Sequence, residues 1–95
     1  MNRAQPRQDT EAPTLLASIE ETLVRSHGVL IGGAKLISVL GYPSPEAFRQ
    51  AIRRGTMPVP VFPLANRRGR FALAKDVAIW LTESRAKASP MRSIA

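Results

Sequence analysis

Cysteine is absent from these 95 residues, and histidine occurs once, as His27. Disulfide frameworks, thiolate zinc sites, cysteine nucleophiles and paired-histidine metal sites are therefore excluded. The sequence also lacks an apolar run long enough to cross a bilayer, and its start lacks the apolar core of a signal peptide. We expect a cytoplasmic protein that needs no metal or other cofactor, does not enter a membrane and is stabilised by side-chain packing.

Catalytic features are equally scarce. A chain of this length buries only a modest core, so neither a large active-site cleft nor a small-molecule ligand is expected. The adjacent acids Glu20 and Glu21 have no apolar surroundings in the sequence that would tune them for acid–base chemistry. Gly32 and Gly33 are not followed by the Lys-Ser/Thr pair of a phosphate-binding loop. The sequence therefore predicts a protein that is not an enzyme.

Positive charge is what the sequence has in excess. Fourteen Lys and Arg residues stand against seven Asp and Glu residues, giving a net charge of +7. The excess lies in residues 28–85, which carry a net +6, whereas residues 1–27 carry a net −1. Such a balance favours a polyanionic partner, because each phosphate that a cation neutralises releases a condensed counterion.

The pattern of residues divides the chain into four segments. Residues 1–13 are polar and lack a hydrophobic period, which predicts a disordered arm. A helix is predicted over residues 14–28, between a threonine cap and a terminating glycine. A compact domain is expected over residues 29–85 and a flexible basic tail over residues 86–95. The helix has an apolar stripe that must cover its own domain, a second copy or another protein, and this stripe contains Leu15, Leu16, Ile19 and Leu23.

Two short helices are predicted near the start of the compact domain. The first covers residues 34–40 and ends at Gly41, and the second covers residues 45–54. Ser44 caps the second helix, and Pro45 takes its first position, where a missing N–H costs nothing. Two short helices across a tight turn are typical of a helix-turn-helix motif.

The sequence of the rest of the domain predicts a β-hairpin and a closing helix. Residues 59–62 and 70–73 favour strands, with a cationic, glycine-containing turn between them. A helix over residues 74–85 would turn Val77 and Trp80 inward. The expected fold is mainly α with a small β-hairpin, a winged helix-turn-helix with an extra N-terminal helix.

The helix over residues 45–54 has two chemically different faces. One face is apolar and predicts packing, and the other carries groups suited to base edges: Glu46, Arg49, Gln50 and Arg53, with Arg54 at the edge. Arginine can donate two hydrogen bonds to guanine, and glutamine can bond adenine. Ser44 and the free N–H groups beside it suit a phosphate. A basic helix face is often only solvated surface, but the adjoining helix, the basic hairpin and the regional charge favour DNA recognition.

A second cationic cluster is formed by Arg67, Arg68 and Arg70 around Gly69. Three neighbouring guanidiniums repel one another, and a hairpin tip has little core to cover. Binding to an anionic partner would explain why the three arginines lie together. A narrow minor groove or adjacent phosphates would suit these side chains. The alternative is a loop kept soluble by its charge. Lys35 could add a contact to the DNA backbone.

A family resemblance is carried by several stretches of the sequence. Residues 35–42 (KLISVLGY), 47–55 (AFRQAIRRG) and 57–60 (MPVP) resemble the small AlpA-like and excisionase-like regulators of phages and mobile elements, whose fold is a reduced MerR-type winged helix. Residues 68–71 (RGRF) and 76–81 (DVAIWL) are similar to the wing and closing helix of that family.

The resemblance covers about residues 29–83 and implies a function. Residues 44–54 would be the recognition helix and residues 67–70 the wing. The implied activity is sequence-specific binding of double-stranded DNA at the nucleoid, as a transcriptional regulator or as an excisionase-type factor that directs a recombinase. The N-terminal helix and the Pro45-Glu46 start depart from the family pattern, so neither a monomeric state nor base preferences can be carried over.

Two other functions are compatible with the sequence. The first is a protein-interaction module that uses the apolar stripe of the N-terminal helix, with the basic face serving solubility alone. The second is RNA binding, which is less well supported because the sequence offers no evident exposed aromatics on which unpaired bases would stack.

Overall fold

The computed structural model describes residues 14–94, so the predicted arm over residues 1–13 lies outside the described residues. The described residues form four helices and two strands. In chain order these are α1 (Leu15–His27), β1 (Leu30–Gly32), α2 (Gly33–Leu40), α3 (Pro45–Arg54), β2 (Phe71–Leu73) and α4 (Ala74–Ile94). The expectation of a mainly helical fold with a small antiparallel sheet is confirmed.

Helix α1 begins and ends where its sequence signals lie. The Thr14 Oγ1 accepts a hydrogen bond from the Ala17 N–H at 3.0 Å. At the other end Gly28 adopts a φ of 91°, a conformation that favours glycine. The helix packs against α4, and the stripe residues that reach the core are Leu16, Ile19 and Leu23. The stripe therefore covers the chain's own domain, and only Leu15 among its four predicted members is exposed.

Helices α2 and α3 follow one another across a tight turn. Gly41 ends α2 in the left-handed region at a φ of 85°, and the Tyr42 N–H donates back to the Ile37 carbonyl at 3.1 Å. The Ser44 Oγ then accepts from the Ala47 N–H at 3.1 Å and starts α3. Both helices match the predicted positions, because their caps and terminating glycines are local signals.

The sheet corrects the predicted hairpin. Strand β2 pairs antiparallel with β1, with Leu30, Ile31 and Gly32 opposite Leu73, Ala72 and Phe71 respectively. The segment that was expected to be its partner, residues 59–62, meets it at a single bridge, where Phe62 and Phe71 exchange two hydrogen bonds of 2.9 Å. Proline supplies no N–H to a ladder, and Pro60 and Pro63 flank that bridge. Strand β2 therefore forms its longer pairing with β1 and not with residues 59–62.

The core lies where the sheet, α2, α3 and the first turns of α4 meet. Three of its side chains are completely buried and large, namely Ile31, Leu36 and Val77. Smaller residues fill the space between them, and the core also includes Leu23, Leu40, Phe48, Val59, Ala72, Ala74 and Ala78. Trp80 and Leu81 pack against the core, and the inward positions of Val77 and Trp80 are those that the apolar period predicted.

Helix α4 is longer than its sequence pattern indicated. The prediction ended it at Arg85 and placed a flexible tail over residues 86–95, whereas the helix continues to Ile94. The apolar period that supported the prediction stops near Leu81, so the helical continuation carries no such signal. Within residues 14–94, no helix combines the length and apolar character needed to cross a membrane.

Candidate nucleic-acid interface

Helix α3 presents one buried and one open face. Phe48 and Ala51 are buried, whereas Glu46, Arg49 and Arg53 are exposed. At about 100° per residue the three exposed positions fall on one side of the helix and the two buried positions on the other. The amphipathic arrangement predicted from the sequence is confirmed.

An aromatic contact fixes how α3 sits against the turn before it. The Tyr42 ring meets the Phe48 ring edge-on, with centroids 5.8 Å apart and planes at 73°. The Tyr42 hydroxyl also donates a weak hydrogen bond to the Met57 sulfur at 3.8 Å. Tyr42 is therefore a packing residue in the structure. Because Phe48 is buried in the core and contacts Tyr42, the opposite face of α3 has a defined direction.

An open groove of about 360 Å³ runs between α3 and the loop before β2. Its apolar floor is formed by Ile37, Phe48 and Ile52, and three arginines also line it. These are Arg49, Arg53 and Arg70, and the lining is completed by Gly33, Pro45 and Gly69. Two arginines from α3 and one from the loop thus line one surface, although the loop arginine is distant from the other two in the sequence.

Glu46 forms ion pairs with the two α3 arginines that line the groove. Its Oε1 accepts a hydrogen bond from Arg49 Nη2 at 3.0 Å, and its Oε2 lies 3.6 Å from Arg53 Nη2. The hydrogen bond and charge of Arg49 lower the pKa of the Glu46 carboxyl, with a smaller contribution from Arg53. The carboxylate therefore stays ionised, and it links two of the three groove cations.

The loop that carries the second cationic cluster is shaped by two positive φ angles. Asn66 has a φ of 63° and Gly69 a φ of 84°, and the Arg67 N–H donates to the Leu64 carbonyl at 3.2 Å. Arg67 and Arg68 are exposed on this loop and do not line the groove. The predicted cluster is thus divided, with Arg70 in the groove and its two neighbours beyond it.

Five other predicted residues lie outside the groove lining, and one of them is Glu46, which pairs with two of the lining arginines. Ser44 is half-buried, and its hydroxyl serves as the cap of α3. Gln50 is half-buried on α3, and Arg54 is exposed at the end of that helix. Lys35 is exposed on α2. Of these five residues, only Arg54 and Lys35 carry positive charge.

Sequence reasoning missed the floor of the groove. Ile37 and Ile52 pack against the core and also line the groove. Phe48, a core residue, lines the groove as well. Each lies on the apolar phase of its helix, so no sequence signal separates a floor residue from a core residue.

The groove combines apolar floor, open access and fixed positive charge. Such a surface can bind a polyanion that also has apolar parts, such as a nucleic-acid strand with its phosphates and sugars. Among the described residues, no cluster of three or more histidine or acidic side chains is placed to hold a metal ion.

Comparisons of the chain with models of known protein families, with curated proteins and with solved structures found no significant match. The resemblance to AlpA-like and excisionase-like regulators therefore depends on the quoted residues alone.

Proposed function

We propose that this chain binds double-stranded DNA in a sequence-specific manner as a winged helix-turn-helix domain. In this proposal α3 is the recognition helix in the major groove, and residues 67–70 of the loop before β2 are the wing. The supporting observation is that Arg49 and Arg53 of α3 line the same groove as Arg70 of the loop. A common cationic surface is what simultaneous contact with one duplex requires.

The two groups of arginines have different tasks in the proposal. Arg49 and Arg53 project from a helix whose opposite face is packed, which gives them the fixed geometry that bidentate bonding to guanine demands. Arg67, Arg68 and Arg70 lie on a loop, where contacts to phosphates or to a narrow minor groove need less exact geometry. Base reading is thus assigned to α3 and backbone binding to the loop.

The apolar stripe of α1 gives little support to the alternative of a protein-interaction module. Leu16, Ile19 and Leu23 are engaged within the chain itself. The resemblance extends the proposal to a transcriptional regulator or an excisionase-type factor of a mobile element, acting on DNA in the cytoplasm and not as an enzyme.

Selection from a random duplex library at about physiological salt tests the proposal, because non-specific attraction is then partly screened. The selected duplex is next titrated with variants of the full chain. Replacing Arg49 or Arg53 with alanine should cost about 1–3 kcal/mol of binding free energy at one base position, whereas Arg68→Ala should weaken all duplexes alike and reduce the salt slope by about 1. Lys87→Ala, an exposed change on α4, is the matched control.

Two results would contradict the proposal. The first is a library that yields no enriched sequence together with no binding of any duplex in dilute buffer. The second is an equal loss on every duplex from both classes of arginine variant, which would remove the division between base reading and backbone binding.

A further inference from the structure

Glu46 lies between the two arginines to which base reading is assigned. It accepts a hydrogen bond from Arg49 at 3.0 Å and lies 3.6 Å from the Arg53 guanidinium. The three side chains are between 59% and 61% exposed. A carboxylate is therefore present on the face of α3 that would meet a duplex. Attraction of phosphates to a cationic surface does not by itself explain a negative charge at that position.

The helical spacing lets one carboxylate serve both guanidiniums. Positions 46, 49 and 53 fall within about 60° of arc and about 10 Å of helix length. That length corresponds to about three base pairs of duplex. The ion pairs thus extend over the whole stretch of α3 from which Arg49 and Arg53 would reach the bases.

Such a carboxylate affects two kinds of DNA contact differently. A phosphate that approaches Arg49 or Arg53 brings its negative charge toward Glu46, and the repulsion opposes the contact. Guanine O6 and N7 are neutral acceptors. A guanidinium has five N–H donors, so one edge can remain bonded to Glu46 while another bonds guanine. Base contact tolerates the ion pairs, whereas phosphate contact is weakened by them.

We propose that Glu46 is a specificity-determining residue, which restrains Arg49 and Arg53 from binding the phosphates of unrelated duplexes and leaves them able to bind guanine. The inference rests on the DNA-binding function proposed above. It adds that Glu46 lowers the affinity for random sequences more than the affinity for the target. It also implies that the target contains guanine within the three base pairs that face α3.

The test compares two duplexes of equal length and composition, one selected from the library and one scrambled. Both are titrated with the full chain as wild type, Glu46→Gln and Glu46→Asp. Glu83→Gln is the matched control, since Glu83 is an exposed acid on α4 and not on the recognition helix. Glu46→Gln should raise the affinity for the scrambled duplex about fivefold, as expected for one unit charge removed from beside a phosphate. The affinity for the selected duplex should change less than about twofold on the same argument.

The Glu46→Asp variant distinguishes the effect of the carboxylate charge from the effect of side-chain length. Aspartate keeps the charge but is shorter by one methylene, so it cannot span both arginines, and the affinity for the scrambled duplex should rise about twofold, between the values of wild type and Glu46→Gln. An aspartate variant that behaves as wild type would overturn the bridging role.

Other outcomes are equally decisive. An equal rise on both duplexes, an unchanged ratio of the two affinities, or the same shift from Glu83→Gln would each overturn the inference. If the wild-type chain binds neither duplex, the DNA-binding function itself fails. If instead the wild-type chain binds both duplexes and the ratio of the two affinities does not depend on Glu46, only the role of Glu46 fails.

Discussion

The ring of Phe71 lies directly over Gly32, its partner across the sheet. A Cβ atom added to Gly32 would lie 2.5 Å from Cε2 of that ring, well inside contact distance. Gly32 immediately precedes α2, and Phe71 immediately follows Arg70. The contact therefore joins the helix pair to the end of the cationic loop, and it helps to keep Arg70 beside α3.

Gly32→Ala should destabilise the protein by about 1–3 kcal/mol, as overpacking of a well-filled site does. The backbone itself is not the cause, because Gly32 has a φ of −147° that alanine adopts freely. Urea unfolding measures the loss. In a Phe71→Ala background the same glycine change should cost close to nothing, and an equal cost in both backgrounds would contradict the overlap.

Local signals explain which helices the sequence could predict. Ser44, Pro45 and Gly55 bound α3 by interactions within a few residues, and its observed limits are the predicted ones. The two-faced character of the helix follows from spacing alone. The ion pair of Glu46 with Arg49 also follows that spacing, because side chains three residues apart on a helix are neighbours. The longer contact with Arg53 was not available from that rule.

The sheet and the groove depend on contacts between distant parts of the chain. Strand β2 prefers β1, which lies about forty positions earlier, to the nearer proline-rich segment, and periodicity carries no information on such a choice. The position of Arg70 beside α3 follows from that pairing. Sequence could therefore identify the cationic residues but not which of them share a groove.

The hydroxyl of Ser44 should contribute measurably to the stability of α3. It accepts the Ala47 N–H at 3.1 Å, so Ser44→Ala leaves a helix-end donor without its partner and should cost about 1 kcal/mol. Ser44→Asp should retain most of the stability, because aspartate is an equally good cap. Ser38→Ala is the control, since Ser38 is exposed within α2. Equal unfolding free energies for both alanine variants would show that the cap contributes nothing.

The Glu46 carboxyl should titrate below the ordinary range of a glutamate, because Arg49 stabilises its charged form. Since the pKa is lowered on folding, the contribution of this group to stability is present above its unfolded pKa and is lost as pH falls through the folded value. Carboxyl chemical shifts followed by NMR against pH measure the titration directly. Arg49→Ala should return the Glu46 pKa most of the way toward its ordinary value, and Arg53→Ala should return it less. The opposite order would contradict the roles assigned to the two arginines.

Leucines 15 and 23 of α1 provide a test of where the apolar stripe of that helix belongs. Leu23 is 9% exposed within the core and Leu15 is 39% exposed at the start of the helix. Leu23→Ala should therefore cost about 2–4 kcal/mol of unfolding free energy, whereas Leu15→Ala should stay within about 0.5 kcal/mol. Urea unfolding measures both variants, and light scattering should give each the mass of the wild type. If the stripe instead bound a second copy, Leu15→Ala would lower the scattering mass, and the unfolding midpoint of the wild type would rise with protein concentration.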